Sequence, residues 1–206
     1  MTALPLLKVG GKYREYALRY IDFLSQNGDT SSGIKASVYG KGSWMAPDHP
    51  DYQSSYKHCR FYADYIYYLG KAIAFEEEKG HTHESWEKDF RHGLDMLVKV
   101  WEKNRDFGLH WDIYGDEVVI DIGGTGAGAF ALLALAEGVK HYPQDRKLKD
   151  VLLETAEVYY KRCVLTGHCN GGPADIMEAD DSESIAALTD ALVQLYYLTE
   201  DEIHRE

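Results

Sequence analysis

The chain has 206 residues, enough for one hydrophobic core or part of a larger one. Its 45% hydrophobic and 27% charged residues suit a folded globular protein and not a disordered one. A formal net charge of −12 argues against nucleic acid or an anionic membrane as partner, and the longest apolar run, Ala127 to Ala136, is too short for a membrane span.

The first residues, Met1 to Lys8, lack the basic and apolar segments of a signal peptide. Three cysteines, Cys59, Cys163 and Cys169, cannot all pair with one another, which favours a reducing, cytoplasmic setting.

Gly11 to Ser25 is predicted to form the first helix, with Tyr13, Tyr16, Ala17, Tyr20, Ile21 and Leu24 on one stripe. A long link, Gln26 to Asp51, follows. Within it Gly40-Lys41-Gly42-Ser43-Trp44 sets an indole on a rim, which makes Trp44 a candidate platform for a substrate. An indole covered by a partner would carry the same signature. Tyr52 to Phe75 reads as a second helix, apolar nearly all round. After the short link Lys79 to Thr82, the third helix, His83 to Lys103, is amphipathic, with Trp86, Phe90, Leu94, Leu97, Val98 and Trp101 on its stripe. A second long link, Asn104 to Asp121, leads into Gly123 to His141, which has no charge until Glu137. Pro143-Gln144 then turns the chain into Asp145 to Leu165, with Leu148, Val151, Leu152, Val158 and Tyr159 on its stripe. A third long link, Thr166 to Asp181, leads into Ser182 to Leu198.

Six helices thus alternate between half-wet and buried, because a helix without a polar face must be surrounded by other helices. Links from buried to half-wet helices are short. Links in the other sense are long, and each ends in an aspartate (Asp51, Asp121, Asp181) at the expected start of a buried helix. The pattern predicts an all-α domain spanning residues 1–206 and built from a repeated helical hairpin. The long links all open at one end, where function is expected to gather. An α/α toroid has this plan, with inner helices lining a ring and outer helices wrapping it. The chain supplies about half of one, as a fragment, as a half-ring completed by a second copy, or as a smaller array.

Four segments invite a chemical reading. Glu117-Val118-Val119-Ile120-Asp121-Ile122-Gly123-Gly124-Thr125-Gly126-Ala127-Gly128 looks like the glycine-rich loop of an adenosylmethionine-dependent methyltransferase. Such a loop needs a following strand with an acidic residue, but a helical pattern follows instead. We therefore read the small residues as sites of close helix packing and keep the methyltransferase as a remote alternative. The segment Gly108 to Asp116 places Asp112 and Asp116 beside His110, Trp111 and Tyr114, two carboxylates among rings on which a sugar can stack. Turn capping is the plainer role for either acid.

In the third long link, five acids fall between Asp175 and Glu183. Asp180 or Asp181 can cap the following helix, with Glu183 completing a capping box. Asp175 and Glu178 remain, and repulsion between them would raise one pKa as a general acid requires. The spacing does not follow a helix-loop-helix calcium site. His81-Thr82-His83 reads as a solvated turn. Cys163, His168 and Cys169 lack a fourth zinc ligand, so no metal or cofactor is expected.

The run Gly171-Gly172-Pro173-Ala174-Asp175-Ile176-Met177-Glu178-Ala179-Asp180-Asp181-Ser182-Glu183-Ser184, followed by an apolar helix ending Leu195-Tyr196-Tyr197-Leu198-Thr199, resembles part of the six-hairpin glycosidase-like proteins. The alternation of helix types extends the resemblance over most of the chain, although only the third link is specific. The resemblance implies an α/α toroid and cleavage of sugar chains by carboxylates at the end where long links gather. It assigns no acid or base to a particular position.

The expected activity is glycoside hydrolysis. Asp175 or Glu178 would protonate the leaving oxygen and Asp112 or Asp116 would activate water. Trp44, His110, Trp111, Tyr114 and Asp180 would hold the carbohydrate. A non-catalytic helical module that binds sugar or serves a larger enzyme is the alternative, and a homo-oligomer that completes the ring is a further expectation.

Overall fold

A computed structural model describes residues 3–29, 33–35, 38–40, 43–45, 56–114, 117–171 and 179–199. The fold is all-α with small antiparallel sheets. Its helices are α1 (Ala3–Val9), α2 (Gly11–Gln26), α3 (Cys59–Glu77), α4 (Glu84–Asn104), α5 (Ala129–His141), α6 (Arg146–Tyr159) and α7 (Ser182–Thr199). A π-helical turn, Tyr160–Val164, continues α6.

They pack in two rows. In the first, α1 touches α3, α3 touches α5 and α5 touches α7; in the second, α2 touches α4 and α4 touches α6. Each short link joins a first-row helix to the next second-row helix, and each long link returns to the first row. The expected alternation is present, and α1, too short and too early to register as a periodic stripe, adds a hairpin partner for α2.

Local chemistry sets the helix ends. Asp145 accepts a hydrogen bond from Leu148 N at 3.0 Å and so caps α6. Asp181 caps α7 by accepting from Ser184 N at 2.7 Å and Glu183 N at 3.3 Å. These bonds satisfy amides that have no partner inside the helix. Of the two candidate caps, Asp181 takes the role. Asp121, expected at a helix start, lies instead in a strand, and Asp51 falls outside the described residues.

Two helices differ from their expected faces. On α2, Ala17 and Ile21 are buried while Tyr13, Tyr16 and Tyr20 lie exposed, so the aromatic stripe is wet. Tyrosine tolerates this because its hydroxyl is hydrated at the rim of an apolar ring. On α7, Ile185, Val193 and Tyr197 are exposed, because among the described elements this helix has a first-row neighbour on one side only. The expectation of full enclosure holds best for α5, where every residue from Ala129 to Val139 is buried.

The glycine-rich segment before α5 serves close packing. A Cβ on Gly128 would sit 1.7 Å from the Tyr159 hydroxyl, and one on Gly126 would sit 2.5 Å from the Cys169 sulphur.

The long links fold into strands where loops were expected, β1 (Val38–Gly40), β2 (Ser43–Met45), β4 (His110–Tyr114) and β5 (Glu117–Ile122), while β3 (Tyr56–His58) takes residues expected in the second helix. β1 pairs with β2, and β4 lies between β3 and β5 in a second antiparallel sheet. β5, which carries the supposed nucleotide strand, is therefore an antiparallel edge strand, unlike the parallel strand of a dinucleotide fold. No described helix is long and apolar enough to cross a membrane.

Candidate functional site

The sheet and the first turns of α3 and α7 share the end of the molecule where the long links run. Alternation along β4 separates its residues by face. Trp111 points into the core: it is fully buried, donates its indole N–H to Phe107 O at 2.5 Å and meets Tyr62 edge-on, with ring centroids 5.8 Å apart. It cannot stack on a sugar while buried, which corrects its expected role.

His110 and Asp112 take the other face of β4, opposite His58 and Tyr56 of β3. The His58 and His110 rings meet edge-to-face at 4.9 Å. Asp112 is half-exposed there.

His58 also caps α3, its Nδ1 accepting from Arg60 N at 3.2 Å. That bond places the ring proton on Nε2, a buried donor with no acceptor among the described residues. Burial, then His110, then Arg60 push its pKa down to about 3. The imidazole is therefore a neutral donor at any physiological pH.

Beside it a polar stripe runs along α3. Arg60, Asp64, Tyr68 and Lys71 recur at helical spacing on the face opposite the one where Gly70 meets Phe90 of α4 and Ile66 meets Gly93. Arg60 pairs with Glu183 of α7, lies 3.8 Å from Asp64 and stacks over the Phe130 ring of α5 at 4.8 Å. Burial raises the Asp64 carboxyl above its ordinary range, and Arg60 only partly offsets this. Two turns further along α7, Asp190 accepts from the Tyr67 hydroxyl at 3.3 Å and from Gln194 at 3.1 Å. Helices α3, α5 and α7 thus bring the Asp64 and Glu183 carboxyl groups, a guanidinium and aromatic rings together.

The sequence reading missed Arg60, Asp64, Glu183 and Asp190 as a group. The signal was present: polar residues at i, i+4 and i+8 on α3, a helix otherwise apolar, mark a face that is not core. Starting that helix at Tyr52 hid the register.

The remaining candidates separate. Asp180 is exposed, accepts from Cys169 N at 2.8 Å and pairs with His168 Nδ1 at 2.6 Å, so it braces its own link. Trp44 lies on β2 opposite Tyr39, and Tyr114 on β4 opposite Glu117, but neither side chain is among those described. Asp116, Asp175 and Glu178 lie outside the described residues.

Below the site Asp106 ties the links together. Its Oδ1 accepts from Arg162 at 2.9 Å, Gly108 N at 3.1 Å and the Tyr159 hydroxyl at 3.1 Å, while Oδ2 accepts from Gly124 N at 2.7 Å. Burial alone would raise this carboxyl, but the bonds from Arg162, Gly124 and Gly108 outweigh it and hold it low.

At the opposite end the turn at His81 and Thr82 is exposed as expected, but His83 is partly covered and both histidines face a buried acid. His83 lies 3.1 Å from the buried Glu76 carboxylate and His81 3.5 Å from it, and Arg14 of α2 binds the same group. No group of three or more His, Cys, Asp or Glu suited to a metal occurs among the described residues.

No family model, no curated protein and no solved structure matches the chain.

Proposed function

We propose that the chain is a carbohydrate-active module of the glycoside hydrolase kind, working at the end where its long links gather. The observation that carries this reading is the Asp64–Arg60–Glu183 cluster, which sets a partly buried carboxyl with a raised pKa and a second, half-exposed one in different surroundings beside one guanidinium. Glycosidic cleavage asks for that division of labour: one carboxylic acid protonates the leaving oxygen and a carboxylate activates water or attacks carbon. Asp64 supplies the acid in this proposal. Glu183 supplies the carboxylate, with Asp112 of the neighbouring strand and Asp116, Asp175 and Glu178 of the same links as further candidates. The partly exposed Tyr68 ring suits an uncharged polyol, which offers flat CH faces.

The test is release of reducing ends from a panel of plant and bacterial glycans by the intact chain and by Asp64→Asn, Glu183→Gln and Asp112→Asn. A hydrolysed glycan whose turnover falls at least about a hundredfold in Asp64→Asn supports the assignment. Unchanged turnover in all three variants ends it.

One feature favours a second reading, a binding-only module. Arg60 already closes on Glu183, leaving that carboxylate committed to an ion pair. Calorimetric binding of an oligosaccharide without product on any glycan distinguishes this case.

A further inference from the structure

We propose that Cys163 and Cys169 form a reversible disulfide, which makes the junction between the π-helical turn and α7 a site of oxidation by peroxide. This inference does not depend on the carbohydrate reading.

The chain geometry brings the two thiols together. Cys163 lies in the π-helical turn. Gly167, in the left-handed region at φ 67°, then reverses the chain, and His168 N donates to Cys163 O at 3.2 Å. Cys169 is thereby folded back beside Cys163, near enough for its thiol to donate toward the Cys163 sulphur. Cys169 is anchored on its other side. Its N–H donates to Asp180, its carbonyl accepts from Asp181 N at 2.7 Å, and its sulphur packs against Gly126.

Both side chains are almost enclosed, yet both border one cavity of about 240 Å³ that Val164, His168, Leu188 and Leu192 help to line. A volume of this size is ample for a molecule not much larger than water. Hydrogen peroxide fits that description.

Cys163 is the attacking sulphur. The hydrogen bond from Cys169 lowers its pKa, and the neighbouring Arg162 adds to this against the effect of burial. Sharing that bond, and burial, push Cys169 the other way. The Cys163 thiolate attacks one peroxide oxygen; the O–O bond breaks, hydroxide leaves and Cys163 becomes a sulfenic acid. The Cys169 sulphur then attacks the Cys163 sulphur. The S–S bond forms, the S–O bond breaks, and the hydroxyl leaves with the thiol proton as water. Two thiols are oxidised and one peroxide is reduced. Cys59 takes no part, because it is fully buried and burial, Asp106 and Asp64 all raise its pKa.

The experiment treats the reduced chain with hydrogen peroxide, unfolds it, alkylates free thiols and measures its mass before and after dithiothreitol. The expected product is a monomer lighter by two hydrogens that takes up one alkyl group, on Cys59, and three after reduction. Cys169→Ser is expected to stop at a Cys163 sulfenic acid that dimedone traps, and Cys163→Ser to form no intramolecular bridge. A wild-type product that keeps three alkylatable thiols, carries added oxygen, bridges through Cys59 or links two chains overturns the proposal. If either serine variant fails to fold, the wild-type masses decide the question alone.

Discussion

The Arg60 guanidinium closes on the Glu183 carboxylate, joining the first turn of α3 to the first turn of α7 although 123 residues separate them. Arg60 also lies over Phe130, so a single side chain links α3, α5 and α7 at the candidate site. Its loss is expected to exceed that of its partner. Glu183 is half-exposed, and its ion pair should contribute only ~0.5–1 kcal/mol, whereas Arg60→Gln also removes the ring contact, for a total near ~1–2 kcal/mol. Urea unfolding of the two single variants and the double variant measures both terms. Equal costs for the two single variants would show that the ring contact contributes nothing.

Acid should weaken the fold through two buried groups. Burial would raise the Glu137 carboxyl, but His141, Lys140 and Lys71 hold it down at about 2. Its folded pKa is below the unfolded value, so its contribution is complete above about pH 4.5 and is lost as pH falls toward 2. His58 acts over a higher range. Its folded pKa is also depressed, so the unfolded chain takes up a proton first, and stability falls from about pH 6.5 toward 3. Unfolding free energies between pH 7 and pH 3 should therefore fall more steeply in the wild type than in His58→Gln, by roughly 3–5 kcal/mol over the interval. Parallel curves would contradict the buried neutral imidazole.

Asp106→Asn should be among the costly single substitutions. The amide keeps one acceptor oxygen but turns an NH2 group toward Arg162 or Gly124 N, both donors. The expected loss is ~2–4 kcal/mol, because a partly buried guanidinium is left without its counter-ion. Thermal denaturation of the variant checks this, and a shift within experimental scatter would remove Asp106 from its central place.

Gly128→Ala tests the close-packing account of the glycine-rich segment. The added methyl would overlap Tyr159 and approach Phe107 Cβ at 2.9 Å, so a loss at or above ~3 kcal/mol is expected. Gly123→Ala serves as the control. Its Cβ would come no closer than 3.3 Å to anything, and a change within ~1 kcal/mol is expected. If both variants are equally stable, close approach is not what those glycines provide.

The helical rows were legible in the sequence because their signals are local and repeated: an apolar stripe, a short turn, a second apolar stripe, a long link. The strands were not read, although Trp111, Ile113, Val118 and Ile120 alternate correctly, because the runs are short and lie inside segments rich in turn residues. The Tyr13, Tyr16 and Tyr20 stripe misled for a different reason, since a phenol ring is comfortable on either side of a surface.

Site residues divide in the same way. Asp181 was readable as a cap because a cap acts within three residues. The Glu76 cluster was not, since its partner Arg14 is 62 residues away and nothing near His81 announces a buried carboxylate. Arg60 and Glu183 share that difficulty at greater separation.

The two ends of the molecule differ in how their backbone turns, and this has a consequence for engineering. At one pole α3 passes to α4 through residues 78–83, braced by Glu76 and its basic partners, and α5 passes to α6 through residues 142–145. At the other pole the helices open into the longer connections. Guest peptides, affinity tags or protease sites should be accepted there with little penalty, since lengthening an already long connection adds only a small closure entropy. The same inserts placed in the tight turns would prise hairpins apart.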